Sequence, residues 1–109
     1  MKKNDKNINK LSVIIVNTDK LNNLENCIDS VLKQSYKNIE LLFVDNGVNS
    51  NFKIIVDKYI NDDKRIKYIE TDKVGLINNI VTGIKNATGD YVNILSATNT
   101  VSVDLYRSL

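Results

Sequence analysis

The sequence contains the stretch Leu11-Ser-Val-Ile-Ile-Val16, an unbroken and mostly β-branched run near its start. A run this short, with no polar face, is typical of a strand that is buried on both sides of a parallel sheet. Ile39-Glu-Leu-Leu-Phe-Val44 is a second run of this kind. Ile66-Lys-Tyr-Ile69 alternates apolar and polar residues, which suits an edge strand, and Tyr91-Val-Asn-Ile-Leu95 completes the set.

Apolar residues between these strands recur at helical spacing. The three apolar faces are Leu21, Leu24, Ile28, Val31 and Leu32; then Phe52, Ile55, Val56, Tyr59 and Ile60; then Leu76, Ile77, Ile80, Val81 and Ile84. We expect Asp19 or Asn22 to cap the first helix, and Asn49 or Ser50 to cap the second. A last helical turn is predicted over residues 103–109.

The alternation of strands and helices, with short connections, predicts an α/β fold. We expect a Rossmann-like open, mainly parallel sheet with right-handed crossovers and helices on both faces. Residues 11–109 are predicted to form one domain, and residues 1–10 a flexible basic tail. Ligands bind such sheets outside the carboxyl ends of the strands. Ser96-Ala-Thr-Asn-Thr100 follows the last strand there, and it has no carboxylate, histidine or thiol.

Composition disfavours several classes of function. The net charge is +2 with both signs mixed along the chain, so nothing favours a nucleic-acid partner. No segment resembles a signal peptide or approaches the roughly 18 apolar residues of a transmembrane helix, so we expect a cytoplasmic protein. Histidine is absent and Cys27 is the single cysteine. We expect that thiol to be buried and inert, and any metal site to use oxygen ligands.

Several segments resemble the N-terminal, nucleotide-binding half of the inverting family 2 glycosyltransferases. They are Leu11-Ser-Val-Ile-Ile15, residues 27–40, Val44-Asp45 with Gly47, and residues 82–91, which read Thr-Gly-Ile-Lys-Asn-Ala-Thr-Gly-Asp-Tyr. The resemblance covers about residues 11–109 without a large gap. It implies strand order 3-2-1-4 and a glycosyltransferase fold truncated before the half that supplies the acceptor site and the general base.

The same comparison shows where the site motifs depart from the family. The family's Pro-x-Tyr-Asn after the first strand is Val16-Asn-Thr-Asp19 here. Its Asp-Asp-Gly-Ser is Asp45-Asn-Gly-Val48, so an amide, Asn46, stands where a carboxylate recognises the base. The arginine that faces the diphosphate is replaced by Ile80. The acidic metal motif Leu-Asp-x-Asp-Asp is replaced by Leu95-Ser-Ala-Thr-Asn99.

These replacements favour a domain that no longer catalyses sugar transfer. The family neutralises the donor diphosphate with Mg²⁺ or Mn²⁺, and the neutral oxygens of Thr98 and Asn99 are poor ligands for either ion. We therefore expect no cofactor, no metal site and no catalytic residue. Weak residual contact with a nucleotide is expected from Thr18, Asp45, Asn46 and Asn99. For Asp45 the alternative is a role in the turn alone.

Two functions stay open. The first is a non-catalytic glycosyltransferase-like domain that acts as an accessory or interaction module. The second is a weakened transferase, metal-free or completed by a partner chain, that uses a nucleotide-diphosphate sugar. Strand order 3-2-1-4 leaves the fourth strand at an edge, which predicts a homo-oligomer or a protein partner there. Asn78 and Asn79 are interpreted as solvated surface, with an anion contact as the alternative.

Overall fold

The computed structural model describes residues 10–18, 20–33 and 38–95, and the backbone of residues 102–104. The strands are β1 (Leu11–Val16), β2 (Ile39–Asp45), β3 (Ile66–Glu70), β4 (Tyr91–Leu95) and β5 (Ser102–Asp104). The helices are α1 (Leu24–Leu32), α2 (Asn51–Ile60) and α3 (Leu76–Asn86). In this part of the chain, none of the helices is long and apolar enough to cross a membrane.

The strands form one sheet in the order β3-β2-β1-β4-β5. β1 lies parallel to both β2 and β4, with Ile15 opposite Phe43 on one side and Leu95 on the other. β2 continues in parallel to β3. The predicted α/β class and the strand order 3-2-1-4 are therefore confirmed. The continuous apolar runs of β1 and β2 follow from their central position, because both faces of each strand are buried.

The strand β5 corrects the prediction for the end of the chain. Ser102–Asp104 is extended and pairs antiparallel with β4, with Asn93 opposite Asp104 and Leu95 opposite Ser102. The predicted helical turn is therefore wrong at its first residues, and residues 105–109 lie outside the described part. β4 is not the outermost strand, so the interaction surface predicted at its free edge is wrong where β5 pairs with it.

Lys10, the residue before β1, is hydrogen-bonded to the start of β4. The backbone N–H of Lys10 donates to Asp90 Oδ2 at 2.9 Å. Its carbonyl accepts hydrogen bonds from the backbone N–H groups of Asp90 and Tyr91 at 2.7 and 3.2 Å. Lys10 is thus part of the folded domain, while residues 1–9 lie outside the described part of the chain and their predicted role as a tail stays a prediction.

Helix capping differs from the prediction at α1 and agrees at α2. α1 begins at Leu24 with no side-chain cap, so Asn22 does not cap it, and Asp19 lies outside the described residues. α2 begins at Asn51, whose backbone N–H donates to Asn49 Oδ1 at 3.0 Å. Asn49 therefore satisfies one of the donors that the first turn of a helix leaves without an intrahelical partner.

The two faces of the sheet are covered unequally. α1 and α2 cover one face, where the apolar cluster includes Val13, Ile15, Leu41, Phe43, Ile28, Phe52 and Val56. The opposite cluster is smaller and consists of Ile14, Val16, Leu42 and Val44. Ile80 of α3 and Val92 and Ile94 of β4 pack against that smaller cluster and stay partly exposed. In the described residues α3 is the one helix on this second face.

Gly83 lets α3 lie close to the sheet. A Cβ atom added there would come within 2.7 Å of Ile14 Cγ2, below any ordinary contact distance. Ile14 is fully buried in β1, so it has no room to move away. The position of α3 relative to β1 therefore depends on the absence of a side chain at residue 83.

A buried carboxylate connects the elements at the amino ends of the strands. Glu40 has a side chain 2% exposed, and its Oε2 accepts hydrogen bonds from Ser12 Oγ at 2.6 Å and Thr88 N at 2.7 Å. Its Oε1 accepts one from Thr88 Oγ1 at 3.0 Å and lies 2.8 Å from Lys67 Nζ and 3.4 Å from Lys10 Nζ. Burial alone would raise the pKa of Glu40, but the hydrogen bonds from Lys67, Ser12 and Thr88 together lower it to about 2.

This lowered pKa gives a prediction for acid stability. Because the folded-state pKa of about 2 lies below the ordinary 4.5, the contribution of Glu40 is complete above pH 4.5 and is lost as the pH falls towards 2. The shift corresponds to about 3 kcal/mol. We expect Glu40→Gln to lower the free energy of unfolding at pH 7 by about that amount and to flatten its decline in acid, as measured by urea unfolding between pH 7 and pH 2.

Glu25→Gln is the matched control, because Glu25 pairs with Lys58 on the surface at 3.1 Å. We expect it to change the free energy of unfolding by less than about 0.5 kcal/mol. Equal effects of the two substitutions would contradict the role assigned to Glu40.

Candidate functional site

The candidate site lies at the carboxyl ends of β1 and β2. Asn17 directly follows β1 and is 2% exposed, and Asp45 is the last residue of β2 and is 9% exposed. Asn17 Nδ2 donates to Asp45 Oδ1 at 2.8 Å and to the carbonyl of Asn49 at 3.0 Å. Asn17 Oδ1 is buried and has no hydrogen-bond partner in the described part of the structure. The side chain thus holds the two strand ends together and leaves one acceptor unused.

Asp45 is bonded through both of its carboxylate oxygens. Oδ1 accepts hydrogen bonds from Asn17 Nδ2 and from the backbone N–H of Gly47, each at 2.8 Å. Oδ2 accepts one from the hydroxyl of Tyr68 on β3. Burial, together with the hydrogen bond to Asp45, raises the pKa of Tyr68 well above its ordinary value. These contacts are those of an aspartate that fixes a turn, which is the alternative that the sequence left open.

The turn after β2 is short because Gly47 adopts a left-handed backbone conformation. Its φ is 82°, in a region that residues with a side chain rarely adopt. This conformation places its N–H against Asp45 and allows the backbone N–H of Val48 to donate to Asn46 Oδ1 at 3.0 Å. The side chain of Asn46 is thereby oriented by its own turn.

A second amide completes the site from the opposite side. Asn46 Nδ2 donates to Asn79 Oδ1 at 2.5 Å, and Asn79 Nδ2 donates to the carbonyl of Lys73 at 3.0 Å. Asn79 is fully buried, so its interpretation as solvated surface is wrong. The signal in the sequence is its spacing, because Asn79 precedes Gly83 by one helical turn and so shares the sheet-facing side of α3. Asn46, a predicted site residue, is therefore bonded to Asn79, which the sequence did not predict to be part of the site.

A cavity of about 280 Å³ lies beside these residues. Its described lining brings together two predicted site residues, Thr18 and Asn46, with Asn17 and with Val16, Val48, Gly75 and Leu76, and none of these residues is charged. Thr18 Oγ1 donates to the carbonyl of Lys20 at 2.8 Å. Asn99 lies outside the described residues, so its predicted contact stays a prediction.

A second, open cavity of about 420 Å³ lies between the starts of α1 and α2. Lys20, Asn22, Asn49 and Asn51 supply its polar lining, and Leu21, Ile54 and Ile55 supply its apolar lining. It shares no residue with the smaller cavity, which is the one that contains the predicted site residues.

The described residues offer poor ligands for the divalent metal that the resemblance implies. Across residues 10–18, 20–33 and 38–95, no three Asp, Glu, Cys or His side chains cluster as a metal site would require. Asp45 is already bonded through both oxygens, and Asn46 is neutral. Cys27 is buried in α1, where burial raises the pKa of its thiol. Residues 96–101, where the family carries its acidic motif, lie outside the described part.

A parallel α/β sheet with a polar cleft at the carboxyl ends of its central strands is the arrangement of nucleotide-binding α/β domains. The solved structure of the mannosyltransferase PcManGT from Pyrobaculum calidifontis, in complex with GDP-Man and Mn²⁺, has the same fold. It matches with a TM-score of 0.73 and 21% identity, over 83% of this chain and 28% of that one.

The family follows from sequence. The family model of glycosyl transferase family 2 matches residues 12–108, and the chain belongs to this family. Glycosyltransferase GlyA of Streptococcus pneumoniae is 33% identical over 100 residues, which are 92% of this chain and 14% of GlyA. Glycosyltransferase GlyG of the same species is 33% identical over 98 residues, 89% of this chain and 32% of GlyG. The chain thus spans a third or less of the length of these relatives, and the resemblance noted from its motifs is confirmed.

The bond between Tyr68 and Asp45 can be tested by removing one hydroxyl. We expect Tyr68→Phe to lower the free energy of unfolding by about 1.5–3 kcal/mol, because it removes a donor from a nearly buried carboxylate. Chemical denaturation at pH 7 measures the change. Val48→Ala, at a neighbouring position 57% exposed, is the control and should change stability by less than about 0.5 kcal/mol. A Tyr68→Phe variant as stable as the wild type would show that Asp45 does not depend on this donor.

Proposed function

We propose that this family 2 domain does not catalyse sugar transfer by itself and acts as an accessory module with residual, metal-independent affinity for a nucleoside. The observation that carries the proposal is the internal bonding of the cleft. The polar groups of Asp45, Asn46 and Asn79 bond to one another or to nearby backbone. A ligand would have to replace those bonds with its own, and each replacement brings little net free energy.

Charge supports the same proposal. A departing nucleoside diphosphate concentrates negative charge, and enzymes stabilise it with a metal ion or with cationic side chains. At the position where the family carries an arginine, this chain has Ile80, which packs against the apolar cluster of the sheet. The mannosyltransferase of similar fold was solved with GDP-Man and Mn²⁺. Here neither a cation nor a set of carboxylates faces the cleft among the described lining residues.

The uncharged part of a nucleotide fits the cleft better than the diphosphate does. The cavity of about 280 Å³ is at the small end of the range for ligand pockets. Asn17 lines it and carries an acceptor without a partner, and Thr18 adds a hydroxyl. Asn17 Oδ1 is buried, so an N–H of a base or a ribose hydroxyl could donate to it only after the side chain turns towards the cavity. Thr18, Asp45, Asn46 and Asn99 remain the proposed contacts.

The second candidate is a weakened transferase that a further polypeptide completes. The matched residues correspond to 14% of GlyA and 32% of GlyG. The resemblance assigns the acceptor site and the general base to the half beyond this match. A nucleotide-diphosphate sugar would then be the donor. The cytoplasmic location and the domain limits of 11–109 stay predictions under either candidate.

Isothermal titration with uridine, UDP and GDP, each with and without MnCl₂, distinguishes the two candidates. We expect dissociation constants above about 100 μM, equivalent to less than about 5.5 kcal/mol of binding free energy, with no strengthening by Mn²⁺. Uridine and UDP should bind within about threefold of each other, because the diphosphate gains no charged partner.

Thr18→Val should weaken the residual binding, since it removes the hydroxyl of a proposed contact that lines the cavity, whereas Lys85→Ala on the exposed side of α3 should leave it unchanged. Micromolar affinity for UDP or GDP that rises tenfold or more with Mn²⁺ would falsify the proposal and favour the weakened transferase.

A further inference from the structure

One side of α3, together with Val74 two residues before its start, carries an exposed apolar stripe, which we define as Val74, Ile77, Val81 and Ile84. Their exposed fractions are 74%, 71%, 40% and 42%. The three on α3, Ile77, Val81 and Ile84, are spaced four and three residues apart, which is the spacing of the a and d positions of a heptad, while Val74 lies outside the helix. A stripe this narrow is typical of a seam between two helices and not of a helix that faces a broad core.

The stripe is distinct from the two other sides of α3. The sheet-facing side contains Gly83, whose added Cβ would meet Ile14. The polar side contains Asn78, Thr82 and Asn86, and each of these side chains donates to the backbone carbonyl one turn earlier, at 2.8–2.9 Å. Those polar groups are thus satisfied within the helix. The apolar stripe is the side of α3 whose burial would gain free energy.

We propose that the stripe is the interface of a homodimer, in which α3 packs antiparallel against α3 of a second copy of this chain. A two-fold axis through the middle of the helix places Ile77 against Ile84 of the second copy, and Val81 close to its own equivalent. The same spacing on both helices makes the surface self-complementary. The proposal concerns a surface outside the cleft, so it does not rest on the proposed function.

Charge agrees with the antiparallel orientation. α3 contains no acidic residue and has Lys85 in its last turn, while Asp72 lies four residues before its first residue. Lys85, Asp72 and the adjacent Lys73 are all exposed. An antiparallel pair brings Lys85 of one copy towards Asp72 of the other and sets the two helix dipoles in opposite directions. A parallel pair would place Lys85 beside its own equivalent, which is unfavourable.

The area of the stripe sets the expected strength. Four side chains at these exposures present on the order of 400 Å² of apolar surface, comparable with the largest patch on a typical monomer. With the polar residues that flank the stripe, two copies bury about 1,000–1,200 Å², at the low end for specific interfaces. We therefore expect a weak dimer that dissociates in the range of tens to hundreds of micromolar.

Sedimentation velocity on the 109-residue chain, from about 5 to 500 μM, tests the proposal. We expect a reversible monomer–dimer equilibrium. Ile77→Asp should raise the dissociation constant at least tenfold, because it places a charge in the seam. Ile54→Asp is the matched control: it makes the same substitution at a position 58% exposed on α2, away from the stripe, and should change the constant by less than about threefold.

Both variants should keep the circular dichroism spectrum and thermal midpoint of the wild type within a few degrees, since both positions are exposed. Lys85→Asp should weaken the dimer, and the double variant Lys85→Asp with Asp72→Lys should restore it if the helices are antiparallel. A wild-type chain that stays monomeric at the highest concentration overturns the proposal. So does a dimer that Ile77→Asp leaves intact.

Discussion

Glu40 places a carboxylate in the interior at the amino ends of the strands, and a buried charge of this kind is tolerated only when it is fully paired. Its partners come from different parts of the chain: Ser12 on β1, Lys67 on β3, and Thr88 in the connection between α3 and β4. The hydrogen bonds and ion pairs of this one side chain therefore hold several elements in position relative to one another. Lys10, the residue before β1, joins the same group.

The two ends of the sheet bury different kinds of polar group. At the amino ends a charge is buried and paired with lysines, whereas at the carboxyl ends the buried polar groups are mostly amides that bond to each other and to Asp45. Amide groups bond to one another without counter-ions, and neutral amide oxygens are weaker ligands for a divalent metal than carboxylates are. None of the described residues that line the cleft is charged. This difference is the physical basis for proposing a nucleoside contact in place of catalysis.

Sequence patterns predicted the four parallel strands, the three helices and, through the family resemblance, their order. Patterns of apolar residues predict such elements because burial on a sheet or helix face is periodic. The same reasoning failed at Asn79, since polarity alone suggested solvent and only the packing of α3 showed the residue to be buried. It also failed at β5. A strand of three residues is too short to show a periodic pattern of apolar residues, and β5 is extended because it pairs with the edge of β4. The partners of Glu40 are distant in sequence, so no local pattern identifies them.

The packing of Gly83 against the centre of the sheet affects the geometry of the cleft. α3 carries Asn79, which bonds to Asn46 across the cleft, and the height of the helix above β1 is set by the contact between Gly83 and Ile14. A single added methyl group at residue 83 would act as a spacer beneath the helix and lift Asn79 away from Asn46. The amide pair would then open without any change to the residues that form it. The width of the cleft therefore depends on the distance between α3 and β1 at Gly83, a residue that does not line the cavity.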